Sequence, residues 1–285
     1  MDKLAYSQTK SFSFSKLITI VEEAGKILLN KFNIRNNVHF RDDSEIFAKE
    51  KSEKELLIEE DLISQEIIIN GIRSFDKEVK IYSEELDNID QLFKDGSDKK
   101  YIIDPLDGTH NFYYGLPYLG IAVAILDKNN LSKAGIICLP SLDILAVCEG
   151  HTSPSYVRIN NKWSKIQTTP RKLNQSIICY DNQFYKLGRV AINIYDILAH
   201  ESFTSRITGS AAADSVMIAI GRINARIWNQ TEPYDIAAGM PIVLGAGGKV
   251  SNFNGKDVNI FSKDLIMSSD KKLHNKLIQE INRVK

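Results

Sequence analysis

Cysteine is scarce in this 285-residue sequence: Cys138, Cys148 and Cys179 are the only three. The count is odd and the spacing matches no zinc pattern, so the thiols read as buried small hydrophobes in a reducing compartment. Histidine is thin as well, and His39, His151, His200 and His274 show no metal spacing. No segment approaches the length needed to span a bilayer, and Met1 to Ser15 holds no apolar run of the kind a signal peptide needs. Net charge of one sign is missing too. Lys plus Arg and Asp plus Glu both number 36, which removes the electrostatic footprint of a nucleic-acid or membrane-surface protein. No repeat period and no low-complexity tract is visible. What remains is a soluble, cytoplasmic protein with no membrane and no direct nucleic-acid partner expected. Its 43% hydrophobic content supplies an ordinary globular core.

Apolar residues recur at helical spacing from Phe14 to Phe32, and again from Leu56 to Phe75, where Gly71 weakens the last turn. Between them, Arg41 to Lys54 is a charged stretch that fits a loop or an exposed hairpin. Short apolar runs at Val79–Tyr82, Tyr101–Ile103, Leu119–Leu126, Ala134–Leu139 and Ile144–Cys148 have strand length. The second half mixes strands at Ser176–Tyr180, Ala225–Trp228 and Leu265–Ser268 with helices at Ala211–Ile220, Pro233–Leu244 and Lys271–Ile281. Pro241 disturbs the last turns of the second of these helices. The class is α/β or α+β, in one or two subdomains.

The most informative stretch is Asp104-Pro105-Leu106-Asp107-Gly108-Thr109. Two carboxylates sit three residues apart, directly after an apolar strand. Pro105 stiffens the exit from that strand and biases Asp104 toward an extended backbone. If a helix starts after Asp107, the N–H groups of Gly108 and Thr109 lack intrahelical partners. That would place an anion site beside a cation site. Taken alone, Asp-x-x-Asp-Gly is a turn with a helix cap. Glu84-Glu85 at the end of the preceding strand would be a solvated pair. Asp235 in Pro233-Tyr234-Asp235-Ile236-Ala237-Ala238-Gly239 would be a charge at a helix start, and so would Asp61 beside Glu59 and Glu60. Ser210 in Gly209-Ser210-Ala211-Ala212 would be a helix cap.

Together these segments, with Asn111-Phe112, stand in an order and at a spacing that resembles the inositol monophosphatase family of metal-dependent, lithium-sensitive phosphatases. The similarity covers most of the chain. The resemblance implies a layered α/β/α/β/α sandwich of the sugar-phosphatase type with two subdomains. Residues 1–150 would form an α+β part with most metal ligands, and 151–285 an α/β part with Asp235 and substrate contacts. It implies two or three Mg²⁺ held by Glu84, Asp104, the Leu106 carbonyl, Asp107 and Asp235. It makes Asp61 and Thr109 the pair that activates water, with Glu84 also catalytic. Leu106, Asp107, Gly108, Thr109, Gly209, Ser210, Ala211 and Asp235 become substrate contacts, and the protein a homodimer. The chemistry suits the residues: Mg²⁺ prefers hard oxygen ligands, and a phosphate dianion must be neutralised before water can attack it.

Some positions depart from the family pattern. Ser83 precedes the Glu pair where Gly is frequent, Tyr234 replaces Trp, and His110 sits where Thr or Ser is common. Trp228 stands seven residues before Asp235, where inositol-specific members carry a Glu for sugar hydroxyls. Trp cannot accept those hydrogen bonds. It is a candidate substrate contact by stacking, with packing in the core as the alternative. The expected activity is hydrolysis of inositol monophosphate or a related sugar phosphate. 3′-phosphoadenosine 5′-phosphate, fructose 1,6-bisphosphate and histidinol phosphate are the other substrates. A non-catalytic binding or regulatory protein on the same fold is the reading from another class.

Overall fold

The structure, a computed structural model, describes residues 12–36, 48–52, 55–86, 88–92, 94–150, 153–181 and 184–285. Most of the N-terminal stretch read for a signal peptide lies outside the described residues, as do His39, His151 and much of the charged Arg41–Lys54 stretch.

Among the described residues, two large sheets and three sets of helices alternate in layers, with a two-stranded hairpin beside them. Helix α1 (Ser15–Asn36) leads to a hairpin of β1 (Ala48–Ser52) and β2 (Glu55–Ile58), then to α2 (Glu59–Arg73). The start expected for α2 at Leu56 is therefore strand, and the helix begins where Glu59-Glu60-Asp61 puts acidic side chains in the first turn. A seven-stranded sheet follows. Its members are β3 (Lys80–Ser83), β4 (Lys99–Asp107), β5 (Gly120–Asp127), β6 (Ser132–Leu139), β7 (Ile144–Cys148), β8 (Ser155–Ile159) and β9 (Lys162–Lys165). They lie in sequence order, antiparallel except for the β3–β4 pair. Short helices α3 (Ile89–Leu92) and α4 (Thr109–Tyr114) flank β4.

The second sheet has the order β11-β10-β12-β14-β13. Its strands are β10 (Ile177–Tyr180), β11 (Thr204–Arg206), β12 (Ala225–Asn229), β13 (Lys249–Ser251) and β14 (Asp264–Ser268). The helices of this half are α5 (Phe184–Glu201), α6 (Ala211–Ala219), α7 (Pro233–Ala237), α8 (Gly239–Gly245) and α9 (Lys271–Val284). The 150/151 division expected from the sequence falls between two strands of the first sheet. The chain passes from one sheet to the other between Lys165 and Ile177. The single helix expected over Pro233–Leu244 is two, α7 and α8. Pro241 has no N–H to offer the carbonyl four residues back.

Strand alternation sorts the core into three clusters. Tyr101, Ile103, Ile121 and Val123 face α1 and α2, meeting Leu17, Val21, Leu28 and Ile68. Ile102, Ala122 and Ala124 face the other way, toward Val216 of α6, Ile242 of α8 and Trp228 of β12. On the outer face of the second sheet, Ile178, Ile227 and Ile266 pack on Leu198 of α5 and Leu277 of α9. A mixed α/β fold with two sheets results. Gly135 of β6 lets the α7–α8 segment approach closely, since a Cβ there would lie 2.2 Å from the Ala238 carbonyl oxygen. The three cysteines are free and buried.

His274 ties α9 to the second sheet. Its ring nitrogens lie 2.6 Å from the Ser251 hydroxyl and 2.8 Å from that of Ser268. Burial, with Lys249 nearby, lowers its pKa from 6.5 to about 4. The folded ring is neutral, whereas the unfolded chain takes up this proton as pH falls below 6.5. The stability associated with neutral His274 is therefore complete above pH 6.5 and lost as pH falls toward 4. By the linkage constant the loss is about 3 kcal/mol. Chemical denaturation between pH 7 and 4 should show that loss, and His274→Gln should remove it; an unchanged slope in the variant would assign the acid sensitivity elsewhere.

Candidate active site

The acidic cluster forms because β4 changes register at its end. Asp104 pairs with Ala122, and Asp107 with Gly120, so three steps on β4 match two on β5. The extra residue is a bulge. Pro105, which cannot donate to a ladder, sits in it. Before the bulge, Asp104 continues the face of Ile102 toward the middle layer. Across it, Leu106 turns into the opposite core. Asp107 then comes back toward the middle layer, against the start of α6. The bulged backbone is anchored by the Ser64 hydroxyl of α2, which donates to the Pro105 carbonyl at 2.6 Å.

Asp104, Asp107 and Asp235 each offer a carboxylate oxygen within 4.8 Å of the others. Asp235 arrives from the first turn of α7, where it also accepts the Glu232 N–H at 3.2 Å. Glu84 follows β3, the parallel neighbour of β4, and its charge acts on both Asp104 and Asp235. Asp104 is 2% exposed, and its Oδ1 has no hydrogen-bond partner. Burial, then Glu84, Asp107, Asp235 and Asp61, push its carboxyl well above the ordinary carboxylate range. Burial and then Glu84 do the same to Asp235. Carboxylates crowded this way, one with an orphaned oxygen, fit a hard cation that takes several oxygen ligands.

Asp107 is held differently. Burial raises its pKa, but four groups oppose that: the Ser210 hydroxyl, Arg226, and the Ala211 and Ala212 amides. The Ser210 hydroxyl donates to Asp107 Oδ2. The Ala211 N–H donates to Oδ1 at 2.9 Å and the Ala212 N–H to Oδ2 at 3.1 Å. Thus Ser210 and Ala211, expected as substrate contacts, have these donors engaged with a carboxylate of the cluster. Gly209 adopts φ +72 in the turn before them.

Asp61 and Thr109 come together. The Thr109 hydroxyl lies 3.1 Å from Asp61 Oδ1 and 3.1 Å from the Leu106 carbonyl oxygen. The other Asp61 oxygen accepts the Ile58 N–H at 2.7 Å, which fixes the carboxylate at the start of α2. Gly108, just before α4, has φ +84, and a Cβ there would lie 2.7 Å from the Tyr118 carbonyl. A side chain is therefore excluded both by conformation and by space. Asn111 joins the two halves of the site, donating to the carbonyls of Tyr118 at 2.5 Å and Thr208 at 2.8 Å.

One sequence expectation stands apart from this group. Trp228 is 1% exposed and lies in the middle core, so it does not offer a face to a substrate. Its parity on β12 turns it inward, and the packing alternative holds. His110 is exposed on α4. Sequence reading also missed Arg226 and Asp214. A charged residue inside each of the apolar runs Ala225–Asn229 and Ala211–Ala219 was the available signal.

The chain matches the model of the inositol monophosphatase family over residues 13–285. It is 27% identical to a fructose-1,6-bisphosphatase/inositol-1-monophosphatase of Thermotoga maritima, over 100% of this chain and 97% of that protein. It is 30% identical to Nus factor SuhB of Escherichia coli K12, over 73% of this chain and 76% of that protein. A histidinol-phosphatase of Chlorobaculum parvum is 26% identical, over 89% and 90%. Among solved structures, the Thermotoga maritima IMPase TM1415 superposes with a TM-score of 0.75 at 27% identity, covering 100% of this chain and 98% of that one. The suhB protein of Bartonella henselae shares the fold at a TM-score of 0.80 and 22% identity, covering 95% and 98%. With a family model spanning nearly its whole length and named phosphatases among its full-length relatives, the chain belongs to the inositol monophosphatase family and is a phosphoric monoester hydrolase.

Proposed function

We propose that this protein is a Mg²⁺-dependent phosphatase of a small phosphate monoester, either inositol monophosphate or a related sugar phosphate. The observation that carries the reading is the orphaned, buried Asp104 oxygen inside a ring of like charges. Glu84, Asp104, the Leu106 carbonyl, Asp107 and Asp235 are the proposed ligands of two or three ions. Mg²⁺ held there would supply positive charge to the phosphate dianion and acidify a water molecule.

The chain's own residues supply the rest. Thr109 has one hydroxyl proton and two acceptors in reach, and the charged one, Asp61, takes it in preference to a carbonyl. Its Oγ1 lone pairs are then free to accept a hydrogen bond from water and aim that water at phosphorus; as the water attacks, its proton passes to Oγ1 while the Thr109 hydroxyl proton passes to Asp61. Asp61 holds the hydroxyl in this orientation, since its other oxygen is fixed by Ile58. The amides of Gly108 and Thr109, before and at the start of α4, are the proposed donors to the phosphate, holding it in line. Gly209, Ser210 and Ala211 act in this reading through Asp107 rather than on the ester.

The substrate class is supported by the relatives named for fructose 1,6-bisphosphate, inositol 1-monophosphate and histidinol phosphate. Trp228 offers no acceptor to sugar hydroxyls, so no preference for inositol over an open or furanose sugar arises from that position.

Phosphate release should be measured with Mg²⁺ over inositol 1-phosphate, fructose 1,6-bisphosphate, histidinol phosphate and 3′-phosphoadenosine 5′-phosphate. One of the first two should be turned over fastest; hydrolysis of none would end the reading. Asp107→Asn and Asp61→Asn should each lower kcat about a hundredfold or more. Only the first should also weaken Mg²⁺ binding. Lithium is expected to inhibit, from the family resemblance, and a rate unchanged in high lithium would contradict this. The homodimer carried by the same resemblance is checked by sedimentation, where a species of single chain mass at micromolar concentration would rule it out.

A further inference from the structure

We infer that Arg226 is a positioning residue of the phosphatase site, fixing the turn that cradles Asp107 and thereby setting how tightly the cluster takes Mg²⁺. The inference rests on the reading of Asp107 as a metal ligand.

Strand β12 reads Ala-Arg-Ile-Trp-Asn, with Ala225 and Ile227 facing the outer core. Arg226 and Trp228 therefore share the inner face. Arg226 is only 5% exposed. A guanidinium so buried costs several kcal/mol unless it is paired and hydrogen-bonded. Its Nη1 donates to Asp214 Oδ2 at 2.5 Å and to the Ser210 carbonyl at 2.7 Å. Its carbon lies 4.6 Å from the centre of the Trp228 ring, which walls off the guanidinium. Asp214 in turn accepts the Thr208 hydroxyl at 2.9 Å through its other oxygen.

The ion pair thus grips both ends of the turn 208–210, one through Thr208 and one through the Ser210 carbonyl. Between them lies Gly209, with φ +72, whose own conformation enforces nothing. Immediately after the turn come the three donors to Asp107: the Ser210 hydroxyl and the Ala211 and Ala212 amides. Ser210 also caps α6, accepting the Ala213 N–H at 3.0 Å. Misplacing the turn would move cap and cradle together.

A merely structural pair predicts something different. Buried ion pairs replaced by apolar residues of similar volume are often neutral or stabilising. The double variant Arg226→Met with Asp214→Leu keeps the volume and removes the grip. Mg²⁺ affinity, read by calorimetry and by the Mg²⁺-induced rise in Tm, should fall about tenfold or more in this variant, the size of effect that residues behind metal ligands produce. At saturating Mg²⁺ the KM for the phosphate ester should stay near that of the unaltered protein. Arg226→Lys, which keeps the charge but not the planar fork, should fall between the two. Unchanged Mg²⁺ affinity in either folded variant would overturn the inference. Asp107→Asn separates the two layers: if it too leaves Mg²⁺ affinity unchanged, the ligand assignment itself fails. If it weakens binding while the Arg226 variants do not, only the positioning role fails.

Discussion

Carboxylates packed within a few ångströms of one another repel, and here they do so out of water. Asp104, at 2% exposure, has Glu84, Asp107, Asp235 and Asp61 as the charges acting on it. In such a place the ionised form is held only by compensating charge or dense hydrogen bonding. Much of the surrounding structure is arranged around that constraint. The cluster lies where four segments meet: the end of β3, the bulge of β4, the start of α2 and the start of α7. Each brings one or two acids, and three of them are fixed by neighbouring groups. Ser64 anchors the bulge, Ile58 anchors Asp61, and Gly135 admits the helical segment that carries Asp235.

The cluster is not uniform, and the differences suit different tasks. Asp104 and Asp235 face mainly like charge, so they form its electron-rich part. Asp107 is satisfied by a helix start and a nearby cation, which gives it one preferred orientation. Asp61 stands further back and is engaged with Thr109 and Ile58. Acids of one residue type are thus placed in different electrostatic surroundings, and the crowded ones could bind a cation. The second sheet contributes to this through Arg226, whose side chain meets Asp214 of α6 and the Ser210 carbonyl at the turn before that helix.

Most regular elements were legible because their apolar spacing is strong. The strands around Tyr101–Ile103 and Leu119–Leu126 and the helix before Phe32 follow from periodicity alone. Elements with weak patterns were not. Strands β8 and β9 carry polar residues such as Arg158, Lys162 and Ser164, because they lie toward the edge of the first sheet. Helix α5 is kinked at Gly188, with φ +63, which interrupts its pattern. The limit of β4 was set too early, at Ile103, since a strand that bulges past a proline does not keep period two.

The inventory of the site is already written along the chain: acids at strand ends and helix starts, and an order of motifs that resembles the family's. Local chain geometry dictates these, since strand ends, prolines and helix caps are properties of neighbouring residues. Which acids share one space, which of them has an unpartnered oxygen, and which is locked by a helix start were decided only by tertiary structure. Asp104, Asp235 and Asp107 look alike in the sequence, and their surroundings come from segments more than a hundred residues apart. Trp228 shows the same division. Its chemistry allowed either stacking or packing, and its position on the inner face of β12, beneath Arg226 and away from solvent, selected packing.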